Sequence, residues 1–152
     1  MRETTLCYIE NDGKYLMLHR SPKKHDGSVG MWMGVGGKLE EGETPDECVV
    51  RETKEETGLT LVDYRKRGVI YFYSDVWEDE IMHLYSGYSF EGELTDACDE
   101  GELYWIDTDK VMELDMWEGD RVFLKLMAAG EQDFELEVHY EGHKLVKWSR
   151  HR

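Results

Sequence analysis

GKLEEGETPDECVVRETKEETGL, residues 37–59, carries seven glutamates and one aspartate. Its middle reads as a helix start: Thr44 as N-cap, Pro45 at the first helical position, and Glu47 three residues after Thr44 to close a capping box. Gly58 supplies the stop. At 100° per residue Glu52, Glu55 and Glu56 fall within an arc of about 100°, because positions i, i+3 and i+4 stack on one face. Arg51 lies four residues after Glu47 and four before Glu55, within reach of either. Val49, Val50 and Thr53 mark a separate flank for the core. Like charges at i, i+4 cost about 0.2–0.5 kcal/mol per pair when solvated and more when partly buried. The stripe is therefore either a solvated acidic face or a set of hard oxygen donors whose repulsion a divalent cation offsets. Gly36 and Gly37, placed where a backbone turns sharply or closes on a ligand just ahead of the helix, favour the second reading.

The remainder of the chain limits what such a site can serve. At 152 residues it is expected to be one domain, residues 1–152, with a core large enough to need no staples. No run approaches the eighteen or so apolar residues of a membrane span, and the N-terminus lacks the pattern of a secretory signal. Cys7, Cys48 and Cys98 are odd in number and lack CxxC spacing, so neither a disulfide framework nor a zinc knuckle is suggested, and a cytoplasmic location is expected. A net charge of −16 argues against broad binding to nucleic acid or anionic membranes. An anionic ligand would need a cation between itself and this surface.

Thr5 to Ile9 and Lys14 to Arg20 read as a hairpin around Asn11-Asp12-Gly13. Residues 21–37 read as a glycine-rich loop entering a short buried segment. Strands are expected over Val69 to Val76, Ile81 to Phe90 and Leu103 to Ile106. A helix is expected over Gly119 to Ala129, stopped by Gly130. Phe134, Leu136, Val138 and Tyr140 alternate with polar residues, and a last strand runs to Trp148. Strands and helices mix without a regular βαβ rhythm, which makes the fold class α+β. His83 and His139 read as polar or satisfied strand residues, and Cys48 as no nucleophile.

Gly37, five residues, Glu43, seven residues, then Arg51-Glu52-Thr53-Lys54-Glu55-Glu56-Thr57-Gly58-Leu59 resembles the signature of the Nudix hydrolases, GX5EX7REUXEEXGU, where U is a bulky aliphatic residue. Every fixed position is filled. Thr53 departs at one U position, which loosens helix packing without removing a ligand. The resemblance implies a mixed sheet between helices. It also implies a loop-helix-loop, the Nudix box at residues 37–59, that binds Mg²⁺, with Mn²⁺ as the alternative ion, and the pyrophosphate of a nucleotide. By position Glu52, Glu55 and Glu56 would hold the metal, with the Gly36 carbonyl as an extra ligand, and Arg51 would be their orienting partner through Glu43 or Glu55. Metal-bound water of lowered pKa would then be the nucleophile. The general base is either Glu56 or Glu100, the latter in an acidic loop where related enzymes place another carboxylate near the metal.

Beyond the box, Gly30-Met31-Trp32-Met33-Gly34 and Asp115-Met116-Trp117-Glu118-Gly119-Asp120 resemble the branch of the family that includes the MutT-type 8-oxo-dGTP diphosphatases. That resemblance implies Trp117 as a platform for the base and Asp120 as a contact to its edge. Lys23, with Lys24 and His25 in the same loop, and Gly37 and Lys38 would meet the phosphates. Met33 stands where a mammalian member of the branch has asparagine, and Gly119 where it has a second aspartate, so two base-reading polar groups are missing. The expected activity is hydrolysis of a nucleoside triphosphate to monophosphate and pyrophosphate, by a monomer or homodimer. The alternatives are an RNA 5′ end or another nucleoside-diphosphate derivative as substrate, or a nucleotide-binding regulator without turnover.

Overall fold

The computed structural model describes residues 1–21, 28–95 and 97–152. These form a mixed nine-stranded sheet with a helix on each face. In chain order the elements are β1 (Arg2–Asn11), β2 (Lys14–Arg20), β3 (Trp32–Met33), α1 (Pro45–Thr57), β4 (Thr60–Ser74), β5 (Glu80–Glu91), β6 (Ala97–Cys98), β7 (Gly101–Asp107), α2 (Glu118–Ala128), β8 (Phe134–Glu141) and β9 (Lys144–Arg150). The strand order is β6-β7-β2-β1-β5-β4-β8-β9, with β3 on β2. β1/β5 and β4/β8 are parallel, and the other pairs are antiparallel.

The β1–β2 hairpin closes on Asp12 and Gly13, both at positive φ, as a tight hairpin turn demands. Only Glu10↔Tyr15 and Asn11↔Lys14 pair before the two strands part. β1 continues beside β5 while β2 continues beside β7. The loop ahead of α1 enters this split and satisfies the freed edge of β1: Thr5 N–H donates to Gly37 O at 2.8 Å, and Cys7 exchanges bonds with Val35 at 2.6 and 2.9 Å. Backbone lies against backbone here, and a Cβ on Gly36 would stand 1.9 Å from Thr5 O. The glycine is thus required by close approach rather than by its dihedral angle.

β1 is buried on both faces, as its unbroken run Thr4 to Ile9 requires. Leu6 and Tyr8 point to the α2 side with Ile70, Leu84, Phe123 and Leu136; Cys7 and Ile9 point to the α1 side with Leu18, Val49, Leu61 and Tyr85. α1 starts and stops as its sequence dictates. Thr44 Oγ1 accepts from Glu47 N–H and the Glu47 carboxylate accepts from Thr44 N–H, both at 3.1 Å, and Gly58 caps the end at φ 81°. The Tyr85 hydroxyl donates to Asp46 in the first turn, tying the helix start to β5. Thr53 fills a core seat at zero exposure, and its hydroxyl has no hydrogen-bond partner among the described residues. At the far end of the sheet the buried Arg67 guanidinium donates to Met127 O and Glu131 O, neutralising the carbonyl end of α2.

Two expectations are corrected. The strand expected from Val69 begins at Thr60 and runs straight out of the Gly58 cap, its first half interrupted by bulges around Asp63 and Lys66–Gly68 that disrupt the two-residue period by which a strand is recognised. The glycine-rich segment also contains β3, a two-residue strand too short to carry a period. Both histidines hold structural bonds: His83 meets Glu3 at 2.9 Å and Lys66 at 2.8 Å, and His139 meets Glu137 at 2.9 Å. Cys48 is buried against Thr5, and burial pushes its thiol up to about 11, which removes it as a nucleophile.

Candidate active site

The split between β1 and β2 opens into a cavity of about 470 Å³. The box loop lines it with Gly36, Gly37 and Lys38, α1 with Glu52 and Glu56, the end of β2 with Arg20 and the β6–β7 turn with Glu100. Phe72, Trp77, Met82, Trp117 and Asp120 line the same cavity, as does Met33.

Arg51 organises the acidic residues without entering that cavity. Its guanidinium takes Glu43 in a two-point clasp, Nε to Oε2 at 2.7 Å and NH2 to Oε1 at 2.9 Å, and holds Glu43 down to about 2. NH1 donates to Glu52 at 2.9 Å and to Glu55 at 3.2 Å, and NH2 reaches Lys38 O at 3.2 Å. The expected choice between Glu43 and Glu55 resolves as both, with Glu43 the two-point partner. Gly37 serves this array directly, since a Cβ there would come within 2.4 Å of the Glu52 carboxyl carbon.

Glu56 is the most enclosed acid of the box, 7% exposed, and accepts from Gly36 N–H at 3.1 Å. Burial pushes it up to about 8, with the charges of Glu52 and Glu100 adding and the Gly36 bond and Arg20 opposing. Burial also raises Glu52. Glu100 is paired with Arg20. Glu55 stands apart: its side chain is 59% exposed, it turns to Arg51, and it does not line the cavity. Among the described residues no three carboxylate, imidazole or thiol groups converge into a metal cage. The donor set nonetheless suits a hard cation. Glu52 and Glu56 present carboxylate oxygens to a cavity large enough for phosphate and water, the partners that complete the coordination of Mg²⁺ where proteins supply only one or two carboxylates. Gly36, expected to offer its carbonyl, commits its N–H to Glu56.

Trp117, at 9% exposure, belongs both to the core and to the cavity wall. Its indole N–H donates to Ser28 Oγ at 3.0 Å. Phe72, Trp77 and Tyr140 meet it nearly perpendicularly, and the His143 ring lies within 25° of parallel at 5.1 Å. Asp120 is buried beside it, and burial, then the charge of Glu80, push its carboxyl up to about 8. Gly119 has a reason of its own: its N–H donates to the Tyr140 hydroxyl at 2.6 Å, and a Cβ would sit 2.7 Å from that oxygen, so a second aspartate has no room. Lys23, with Lys24 and His25, lies outside the described residues. Sequence reasoning missed Arg20, Ser28, Phe72, Trp77, Arg2 and Glu80, which sit on strands or turns where nothing in the local pattern marks a ligand.

The NUDIX domain profile matches residues 1–127. An oxidized purine nucleoside triphosphate hydrolase of Danio rerio is 33% identical over 144 residues, covering 93% of this chain and 88% of that one. The Nudix hydrolase YvcI of Bacillus subtilis, uncharacterized, is 30% identical over 135 residues, covering 86% and 82%. A crystal structure of the MutT protein of Bacillus halodurans superposes with a TM-score of 0.89 at 26% identity, covering 99% of this chain and 98% of that one. With the complete box on α1 and its loop, these similarities establish that the chain belongs to the Nudix family and is a Nudix hydrolase acting on phosphoric anhydrides.

Proposed function

We propose that this protein, as one domain over residues 1–152, hydrolyses nucleoside triphosphates to monophosphate and pyrophosphate, with oxidised purine nucleotides among its substrates. The observation that carries the reading is the continuity of one cavity, acidic where Glu52, Glu56 and Glu100 line it and aromatic where Trp117, Phe72 and Trp77 do. A triphosphate and a base need those two environments side by side. The similarity to the Danio rerio hydrolase supports the oxidised purine.

Glu52 and Glu56 would hold a divalent cation, Mg²⁺ or Mn²⁺, with Glu55, Glu100 and the Gly36 carbonyl in reserve. Bound there, the ion supplies Lewis-acid chemistry, lowering the pKa of water and neutralising phosphate oxygens. The chain's own residues do the rest. Arg51 holds Glu52 and Glu43 in place. Lys38 and Gly37 border the phosphates. Glu56, aimed by Gly36 N–H, takes the proton of the attacking water at its carboxylate. Glu100, braced by Arg20, is the second acceptor. Trp117 stacks on the base and Asp120 meets its edge. No helix of the described residues is long and apolar enough to cross a membrane. The three cysteines are free thiols, in keeping with a reducing cytoplasm.

Assay of the purified protein with Mg²⁺ against canonical and 8-oxo nucleoside triphosphates, nucleotide sugars and triphosphorylated RNA, with product identification, tests the proposal. Triphosphates are expected to yield monophosphate and pyrophosphate, and turnover confined to sugars or RNA ends would refute it. Trp117→Ala is expected to raise KM roughly 5- to 100-fold for every base while kcat changes less, since stacking grips without selecting. A KM unmoved by that change returns Trp117 to a packing role.

A further inference from the structure

The cavity wall away from the box carries a second polar cluster, formed by Arg2, Thr4 and Glu80, none of them in residues 37–59. Arg2 and Glu80 are direct partners in the parallel β1/β5 ladder. Arg2 donates to Glu80 Oε1 from Nε at 3.1 Å and from NH2 at 2.6 Å, and Thr4 Oγ1 donates to Glu80 Oε2 at 2.8 Å. Both carboxylate oxygens are thus fixed in place; Oε1 already takes two bonds and Oε2 one, which leaves Oε2 with capacity for one more. The Glu80 side chain is 18% exposed, and the space it borders is the cavity shared with Trp117 and Asp120. Glu80 lies close enough to Asp120 for its charge to disfavour the ionised form of that carboxyl.

A carboxylate so held can accept hydrogen bonds and can donate none. It rewards an N–H presented by a bound base and repels a carbonyl oxygen in the same place. Guanine, adenine and cytosine carry an exocyclic amino group, whereas hypoxanthine has a hydrogen where guanine carries it and an oxygen where adenine does, and uracil has an oxygen where cytosine carries it. Resting on the nucleoside triphosphate reading above, we infer that Glu80, clamped by Arg2 and Thr4, is a specificity-determining residue that selects bases bearing an exocyclic amino group. This wall takes over base reading from the positions occupied by Met33 and Gly119, which offer no polar side chain.

The test compares kcat/KM for GTP with ITP, ATP with ITP, and CTP with UTP, in the native protein, Glu80→Gln and Thr4→Val. The native protein is expected to prefer the amino-bearing member of the pair its cavity fits by on the order of 10- to 100-fold. Glu80→Gln, which replaces one acceptor by a donor, is expected to bring that ratio within roughly threefold of unity. Thr4→Val, which leaves the Arg2 pair intact, is expected to narrow it less. A role confined to tying β1 to β5 would lower both members alike and leave the ratio fixed. Native ratios near unity in all pairs, or ratios unchanged in both folded variants, overturn the inference while triphosphate hydrolysis stands. If no triphosphate is turned over, the hydrolytic proposal fails separately. Quenching of indole fluorescence by GMP against IMP and CMP against UMP then decides: a preference for the amino base lost in Glu80→Gln supports the inference, and equal binding overturns it.

Discussion

Glu56→Gln is expected to lower kcat by on the order of 10²–10⁴ while leaving the protein folded. Glutamine keeps the shape and one acceptor for Gly36 N–H but can neither carry the charge a cation needs nor take a proton from water. The fold should tolerate or welcome the change, because burial already disfavours the ionised carboxylate and Glu52 and Glu100 add to that penalty. Steady-state kinetics with thermal unfolding of the same preparation checks both halves. Retained turnover in a folded variant would remove Glu56 from the chemistry. Arg51 offers no such clean separation, since it clasps Glu43, Glu52 and Glu55 at once and its loss releases all three.

Asp120→Asn is expected to stabilise the protein above neutral pH by several kcal/mol. Burial, then Glu80, raise the Asp120 carboxyl from 3.8 to about 8, while Arg121 opposes. Tyr8 and Tyr140 also face it, and its charge helps push both phenols up. The unfolded chain releases this proton near 3.8, whereas the folded chain keeps it to about 8. Between those values the native state binds more protons, so unfolding free energy falls as pH rises. The contribution is complete below the unfolded value and is lost on passing the folded one. About four pH units at about 1.4 kcal/mol each give roughly 6 kcal/mol across the window. Asparagine has no such proton to lose. Urea unfolding of both proteins from pH 5 to 9 should show the difference growing in favour of the variant, and parallel curves would show that Asp120 ionises freely in the folded state.

The sequence carried the box almost completely because each of its devices is local. A capping box, an N1 proline, a C-cap glycine and carboxylates at i, i+3 and i+4 all act within one helix, and Thr44 to Gly58 form it as read. The hairpin at Asp12-Gly13 and α2 were legible for the same reason. Legibility failed where the decisive contact spans the chain. Arg2 meets Glu80, Arg20 meets Glu100 and Trp117 meets Ser28 across roughly 80 to 90 residues, and no spacing rule reaches that far. Gly36 was legible as a close-approach glycine, but that its neighbour would be Thr5 depended on β1 and β2 parting after two pairs. Glu55 shows the opposite limit: helical spacing placed it with Glu52 and Glu56, yet Arg51 draws it out to solvent.

Anomalous diffraction from crystals grown with Mn²⁺ and a non-hydrolysable nucleoside triphosphate would test the metal site most directly. The expected map places the ion between the carboxylates of Glu52 and Glu56 and the phosphate oxygens, with the base against Trp117. Manganese held elsewhere, with those two carboxylates still turned to Arg51 and Gly36, would contradict the assignment of the acidic stripe on α1 as the seat of catalysis.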